Sequence, residues 1–184
     1  MNLRHLLIDR NWTLFLDRDG VINRRIVDDY VKAWEQFEFL PGVLDAIPLF
    51  NQRFGRIFVV SNQQGVGKEL MSDSEVTALH QRMVEEIGKA GGRVDAVFYS
   101  PHLQADRSFM RKPNIGMALK ARKQFSEIRF SKSVMAGDSI SDMLFGKRAG
   151  MKTVLISTDS KPAQLYPRQI DFLFPDLISL ANAL

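Results

Sequence analysis

The sequence predicts an α/β protein with a central parallel sheet, in a three-layer Rossmann-like arrangement. Short apolar runs alternate with longer amphipathic segments along the 184 residues, which is the pattern typical of such a sheet. The runs show no polar alternation, as expected for strands covered on both faces. Hydrophobic residues make up 45% and charged residues 25% of the chain, ordinary values for a globular protein. We therefore expect one domain over residues 1–184.

Five strands are predicted from the apolar runs, each short and rich in β-branched or aromatic residues. They are TLFLD at 13–17, RIFVVSN at 56–62, AVFYS at 96–100, SVMAGD at 133–138 and TVLIS at 153–157. The C-terminal segment DFLFPDLISLANAL predicts a last strand and a short closing helix.

Four helices are predicted between the strands. They run from after Pro41-Gly42 to about residue 53, and over about 72–90, 116–125 and 141–149. Ser72 and Glu75 have the spacing of a capping box, which favours a helix start at that point. Pro48 predicts a kink or a late start in the first helix. Glycines after the second and fourth helices predict their ends.

Composition and charge exclude several classes of function. The net charge is +4, but the lysines and arginines are scattered, so we expect no nucleic-acid partner. A modest positive field suits a small phosphorylated metabolite. No apolar run reaches the ~18 residues needed to span a bilayer, and the N-terminal stretch LRHLLI is too short for a signal peptide. We expect a cytoplasmic location and no membrane partner. Without cysteine, a metal must bind oxygen or histidine.

Paired carboxylates follow two of the predicted strands, where open α/β sheets bind ligands. Asp17 and Asp19 lie in DRDG, and Asp138 and Asp142 lie in GDSISD. Each pair could simply cap a turn or a helix start. Close carboxylates repel each other unless they share a cation or a proton. Four oxygen ligands at one sheet edge favour a hard cation, most naturally Mg²⁺.

Two further motifs follow strands or begin helices. Ser61 and Asn62 end the second strand, and their hydroxyl and amide groups suit phosphate oxygens. Lys112 precedes Pro113 and offers a positive charge. The neighbouring GVGK at 65–68 resembles the end of a phosphate-binding P-loop, but that motif requires an earlier glycine where Asn62 stands and a Ser or Thr after the lysine. A P-loop is therefore excluded.

The four motifs, in the order DxDG, SN, KP and GDxxxD, closely resemble those of the haloacid dehalogenase (HAD) superfamily of phosphohydrolases over residues 13–157. The resemblance implies that Asp17 is the nucleophile and Asp19 the general acid and base. It also implies a magnesium site at Asp17, Asp19, Asp138 and Asp142. In that site Asp19 binds the ion through its backbone carbonyl, and Asp142 is an outer-shell partner. The phosphate- and substrate-binding residues it implies are Arg18, Asn23, Ser61, Asn62, Gln63, Arg111 and Lys112.

Further segments resemble the branch that contains D-glycero-D-manno-heptose 1,7-bisphosphate phosphatase and histidinol-phosphate phosphatase. They are DRDGVIN at 17–23, YVKAWEQFEFLPGV at 30–43, SNQQGVG at 61–67 and RKPNIGM at 111–117. The spacing of the motifs leaves no room for a cap domain. Many members carry a zinc loop before the RKP motif, but here only His102 of its ligand set remains, so zinc is not expected. We expect Phe109 to anchor that loop by packing and Lys68 to reach the far end of the substrate.

The sequence thus predicts a magnesium-dependent phosphomonoesterase that acts through an aspartyl-phosphate. Heptose 1,7-bisphosphate is the expected substrate, cleaved at its C7 phosphate. The alternatives are histidinol phosphate, a polynucleotide 3′-phosphate, and a catalytically silent HAD domain that only binds phosphorylated ligands. We expect a monomer.

Overall fold

The computed structural model describes residues 3–184, apart from the side chain of Arg4, and contains one six-stranded parallel sheet. The strands are Thr13–Leu16 (β1), Arg56–Asn62 (β2), Ala96–Ser100 (β3), Ser133–Gly137 (β4), Lys152–Ile156 (β5) and Phe172–Phe174 (β6). Their spatial order is β3-β2-β1-β4-β5-β6, and every pair of neighbours is parallel. The predicted α/β class is confirmed. Residues 1 and 2 of the predicted domain lie outside the described residues.

Seven α-helices connect and follow the strands. They are Val43–Arg53 (α1), Gln64–Gly67 (α2), Asp73–Lys89 (α3), Gly116–Gln124 (α4), Ile140–Ala149 (α5), Lys161–Leu165 (α6) and Leu177–Asn182 (α7). The four helices predicted between the strands agree to within one residue. The late start expected from Pro48 is wrong, because α1 begins directly after Gly42 and continues through the proline to Arg53. The short helices α2 and α6 were not predicted.

The sheet separates two apolar layers. Leu14, Leu16 and their counterparts on neighbouring strands pack on one face with residues of α1, α3 and α7. Phe15, together with Phe58 and Met135, packs on the other face with α4 and α5. Alternate residues of each strand point to opposite faces, so a strand covered by helices on both sides must be apolar throughout. This explains the unbroken apolar runs of the sequence.

The connections that follow β1 and β2 contain few elements of regular secondary structure. Residues 17–42 contain one 3-10 helix, Trp34–Gln36, and the β2–β3 connection contains only α2 and α3. Within residues 3–184 no inserted domain covers the carboxyl ends of the strands, as the motif spacing predicts. None of the helices in this part of the chain is long and apolar enough to cross a membrane.

Candidate active site

The carboxyl ends of the central strands open into one pocket of about 470 Å³. Parallel strands bring these ends to the same edge of the sheet, which is where open α/β folds bind ligands. The predicted site residues that line this pocket are Asp17, Asp19, Ser61, Asn62, Arg111, Lys112 and Asp142. The other four predicted residues, Arg18, Asn23, Gln63 and Asp138, do not line it but contact residues that do.

A buried lysine lies between two buried carboxylates. The Nζ atom of Lys112 is 2.7 Å from Oδ1 of Asp17 and 2.6 Å from Oδ1 of Asp142, and it donates to the carbonyl of Val60. Burial would lower the pKa of Lys112, but Asp142 and Asp17 more than offset this and raise it. Burial and the charge of Asp142, opposed by Lys112, raise the pKa of Asp17 to about 7. The cluster therefore contains more acidic groups than one lysine neutralises.

Three carboxylates meet in a way that suits a divalent cation. Asp17, Asp138 and Asp142 each place an oxygen within 4.8 Å of the others. Burial raises the pKa of Asp138 to about 6, an effect that Arg25 partly opposes. The guanidinium of Arg25 is 3.1 Å from Oδ1 of Asp138 and 3.4 Å from the backbone carbonyl of Asp19. An all-oxygen set of this kind suits a hard divalent cation such as Mg²⁺.

Asp138 is not the cap of α5, although its position allowed that reading. Ser139 caps the helix, and its Oγ accepts a hydrogen bond from the backbone N–H of Asp142. Asp142 completes a capping box by accepting from the Ser139 N–H. This fixes Asp142 beside Lys112. Two glycines allow the approach, because a Cβ at Gly137 would clash with Cβ of Asp142 and one at Gly20 would clash with Oδ2 of Asp138.

Asp19 is held by three side-chain donors. Its Oδ1 accepts from Arg18 Nη2 at 2.9 Å and from Asn23 Nδ2 at 3.0 Å. Its Oδ2 accepts from Gln63 Nε2 at 2.8 Å, and the same nitrogen is 2.6 Å from the hydroxyl of Ser61. Burial would raise the pKa of Asp19, but Arg18 and these hydrogen bonds lower it. Asn23 and Gln63 therefore orient a pocket carboxylate.

The side chain of Arg18 does not reach the pocket, contrary to its expected place among the substrate-binding residues. It is fully buried, with Nη2 on Asp19 and Nη1 2.9 Å from Nε2 of His80. Its backbone N–H donates to Oδ1 of Asp17 at 2.7 Å. Arg18 therefore contacts the two pocket carboxylates, Asp17 through its amide and Asp19 through its guanidinium.

Histidine 80 is buried on α3 and 4% exposed. Burial and the charge of Arg18 lower its pKa to about 3, whereas an unfolded histidine has a pKa of about 6.5. Between these values the unfolded chain binds one more proton at this residue than the folded protein does. Folding stability therefore falls as pH falls through this window, by about 1.4 kcal/mol per pH unit.

We expect this dependence to disappear in His80→Gln, which does not titrate and keeps a hydrogen-bond acceptor. The measurement is the free energy of unfolding of both proteins in urea between pH 7 and pH 4. The difference, wild type minus variant, should decrease as pH falls below about 6. Because all other groups are shared, a difference that is independent of pH would contradict a neutral buried His80.

Asn62 fixes the backbone of Lys112. Its Nδ2 donates to the carbonyl of Lys112 at 3.1 Å, and its Oδ1 accepts from the N–H of the same residue at 3.0 Å. These two bonds connect the end of β2 to the segment before α4. They explain why a strand-end Asn and a distant lysine belong to one site.

Sequence reasoning missed the segment that forms one wall of the pocket. Arg25, Ile26, Asp28, Asp29, Tyr30, Val31 and Gln64 all line it. Most of the segment 25–30 is exposed, and its residues make few contacts that a local pattern could indicate. Two signals point to this segment: it directly follows the DRDGVIN motif, and Tyr30 and Val31 begin the stretch 30–43 that resembles the family branch. Lys68 also lines the pocket, with Nζ 5.3 Å from the ring centre of Tyr30.

The loop before Lys112 is ordered differently from the expectation. Phe109 is 57% exposed, so the prediction that it anchors the loop is wrong. Hydrogen bonds hold the segment instead: Arg111 Nη1 donates to the carbonyl of His102, and Asn114 Nδ2 donates to the carbonyl of Ser108. The ring of His102 is 3.1 Å from the hydroxyl of Ser100.

Known proteins that are similar to this chain are phosphatases of the family that the motifs resemble. A family model described as HAD-hydrolase-like matches residues 109–180. A D-glycero-alpha-D-manno-heptose-1,7-bisphosphate 7-phosphatase of Mycobacterium bovis is 41% identical over 132 residues, which are 72% of this chain and 70% of that protein. The corresponding enzyme of Rhodopseudomonas palustris, named for the beta anomer, is 38% identical over 74% of this chain and 78% of its own length.

One solved structure is similar over nearly the whole chain. The D,D-heptose 1,7-bisphosphate phosphatase of B. bronchiseptica, complexed with magnesium and phosphate, aligns with a TM-score of 0.82 at 28% identity. The alignment covers 93% of this chain and 96% of that one.

Proposed function

The chain belongs to the HAD-like phosphatases, and we propose that it removes the 7-phosphate of D-glycero-D-manno-heptose 1,7-bisphosphate in a magnesium-dependent reaction. The observation that carries the proposal is the cluster of Asp17, Lys112 and Asp142 in one pocket with Asp19. A buried lysine beside a carboxylate permits that carboxylate to approach a phosphate dianion. The names of the relatives support the choice of substrate.

Asp17 acts as the nucleophile in this proposal. One of its carboxylate oxygens attacks phosphorus, and the bond between phosphorus and the sugar oxygen breaks. The carboxyl group is oriented through Oδ1, which accepts from the Arg18 N–H and lies 2.7 Å from Lys112 Nζ. The same lysine and the hydroxyl of Ser61 bind oxygens of the transferred phosphoryl group.

Asp19 transfers protons in both steps. It donates one to the departing sugar oxygen and then takes one from the water that hydrolyses the aspartyl-phosphate. Its lowered pKa makes it a strong acid, and the negative charge of an arriving phosphate raises the proton affinity of a nearby carboxylate. The substrate thus helps to load the proton that Asp19 donates.

Asp17, Asp138 and the Asp19 carbonyl would hold magnesium, with Asp142 beside them, and the bound ion would cancel repulsion between the nucleophile and the phosphate. Positive charge also favours ionised carboxyl groups. The raised pKa values of Asp17 and Asp138 mark these two as the groups whose ionisation would respond most to a cation. We propose no zinc site, because the sequence has no cysteine and His102 alone cannot form a tetrahedral structural site.

Lys68 and Arg111 form a second cationic group in the pocket. Lys112 is buried, whereas Arg111 is partly buried and Lys68 is exposed, so the latter pair lies nearer to solvent. Positive side chains at different depths of the pocket suit a substrate with two phosphates. The 7-phosphate would bind at Lys112 and the 1-phosphate at Lys68 and Arg111.

We expect Lys68→Ala to raise KM for the bisphosphate by about tenfold, because one charged hydrogen bond to phosphate is lost. The KM for heptose 7-phosphate, which lacks the second phosphate, should stay the same. Steady-state kinetics with both substrates measure the difference. Lys89→Ala is the control, since Lys89 is an exposed lysine paired with Glu86 outside the pocket. Equal effects of Lys68→Ala on both substrates would reject the second phosphate site.

The deciding experiment for the function is phosphate release at neutral pH, with and without magnesium. The substrates are both anomers of heptose 1,7-bisphosphate, histidinol phosphate and a DNA oligonucleotide with a 3′-phosphate. Magnesium-dependent release with the highest kcat/KM on one heptose anomer supports the proposal and selects that anomer. A preference for histidinol phosphate or for DNA would replace the substrate, and no release from any ester would indicate a silent binding domain.

A further inference from the structure

We propose that His80 and Arg18 form a buried positioning pair that holds the carboxyl group of Asp19 in the orientation required for proton transfer. The inference rests on the proposed function, in which Asp19 is the acid and base. His80 lies on α3, 62 positions beyond Arg18 in the chain, and it does not line the pocket. It would therefore act only through the arginine.

The contact between the two residues determines the protonation of the histidine. Nη1 of Arg18 is 2.9 Å from Nε2 of His80. A guanidinium carries only donors, so the imidazole nitrogen must accept. His80 is therefore neutral and carries its proton on Nδ1.

A second hydrogen bond of the Arg18 side chain orients the carboxyl group of Asp19. Nη2 of Arg18 donates to Oδ1 of Asp19 at 2.9 Å. With Asn23, this oxygen accepts two side-chain hydrogen bonds, whereas Oδ2 accepts one, from Gln63. The less occupied oxygen has room for a hydrogen. The geometry thus assigns the transferable proton to Oδ2 and the fixed position to Oδ1.

The arginine has few alternative partners. Its side chain is fully buried, and Nε has no hydrogen-bond partner among residues 3–184. A buried cation is costly unless its donors are satisfied, so His80 and Asp19 together determine where the guanidinium lies. Without an acceptor at position 80, Nη1 of Arg18 would lose its hydrogen bond. The guanidinium that binds Asp19 would then be held by one side-chain hydrogen bond in place of two.

The same residue also orients the nucleophile. The backbone N–H of Arg18 donates to Oδ1 of Asp17, while its side chain donates to Asp19. These two contacts are independent, because a change at position 80 affects the side chain and leaves the amide in place. A variant of His80 should therefore impair proton transfer much more than nucleophilic attack.

The test compares His80→Leu, which has no acceptor, with His80→Gln, which keeps one. Each protein is assayed with magnesium on two substrates. One is the alkyl ester heptose bisphosphate, whose leaving oxygen needs a proton, and the other is p-nitrophenyl phosphate, whose leaving phenolate does not. Since kcat/KM reports the first chemical step, we expect His80→Leu to lose at least about tenfold on the alkyl ester. The aryl ester should change by less than about threefold, and His80→Gln should recover most of the alkyl activity.

Val76→Ala is the matched control, because Val76 is fully buried one turn earlier on the same helix. Because this variant keeps both His80 and Arg18, it should loosen α3 without separating the two substrates. Equal losses on both esters in His80→Leu, or the same selectivity in Val76→Ala, would overturn the positioning role while leaving the phosphatase intact. A wild-type protein that hydrolyses neither ester would overturn the proposed function itself.

Discussion

Asp17→Asn is expected to abolish phosphate release, with a decrease in kcat of about 10⁴-fold or more, as for removal of other enzymic nucleophiles. Asparagine has the same shape but cannot form the aspartyl-phosphate. The protein should remain folded. Burial and Asp142 raise the pKa of Asp17 to about 7, so ionisation of this carboxyl group costs folding stability as pH rises from about 4 to 7.

Without metal at pH 8, Asp17→Asn should therefore be at least as stable to unfolding as the metal-free wild type. Phosphate release and thermal unfolding, measured on the same samples, test both parts. Asp45→Asn is the control, since Asp45 is an exposed carboxylate of α1 and should leave both quantities unchanged. Substantial turnover by a folded Asp17→Asn protein would exclude Asp17 as the nucleophile.

Lys112→Met is expected to reduce both activity and stability. The substitution leaves Asp17 and Asp142 buried without the cation that lies within 2.7 Å of each. Removing one member of a buried ion pair commonly costs about 3–5 kcal/mol. At pH 8 without metal the free energy of unfolding in urea should fall by an amount of this order. The loss should be smaller at pH 5, where the carboxyl groups can take up protons.

The matched control for this variant is Lys147→Met. Lys147 is also 2.6 Å from a carboxylate, that of Asp171, but its side chain is 30% exposed. Partly exposed pairs contribute about 1 kcal/mol or less. If the two substitutions lower the free energy of unfolding equally, burial of the Lys112 cluster does not increase its contribution to stability.

The sequence predicted the sheet and the rim of the pocket because both depend on local signals. Apolar runs and capping residues lie within a few positions of the elements they determine, and DRDG or GDSISD follow directly from strand ends. The topology rule then brings the ends of β1 and β4, with Asp17 and Asp142, to one edge of the sheet, whereas Lys112 was assigned to the same site by the resemblance of its motif. Their convergence in one pocket was accessible because each motif is attached to a regular element.

Contacts between distant residues were not predictable in this way. The pair of Arg18 and His80 spans 62 positions and that of Arg25 and Asp138 spans 113. Neither has a spacing that a periodic pattern would indicate. Their burial and partners depend on how α3 and the segment after β1 pack against the sheet. The exposure of Phe109 illustrates the same limit, since its hydrophobicity suggested an anchor where backbone and polar contacts hold the loop.

The position of β1 between two neighbours in the middle of the sheet has a consequence for how the protein opens. The N–H of Asp17 donates to the carbonyl of Ala136 at 2.9 Å and so extends the hydrogen-bond ladder between β1 and β4. Exposing that amide to solvent exchange requires the central strands to separate, which involves nearly the whole free energy of unfolding. The segment 25–30 is mostly exposed and can open at much lower cost. The amide of Asp17 thus shares the global stability of the fold, whereas the segment 25–30 can change its conformation independently of the sheet.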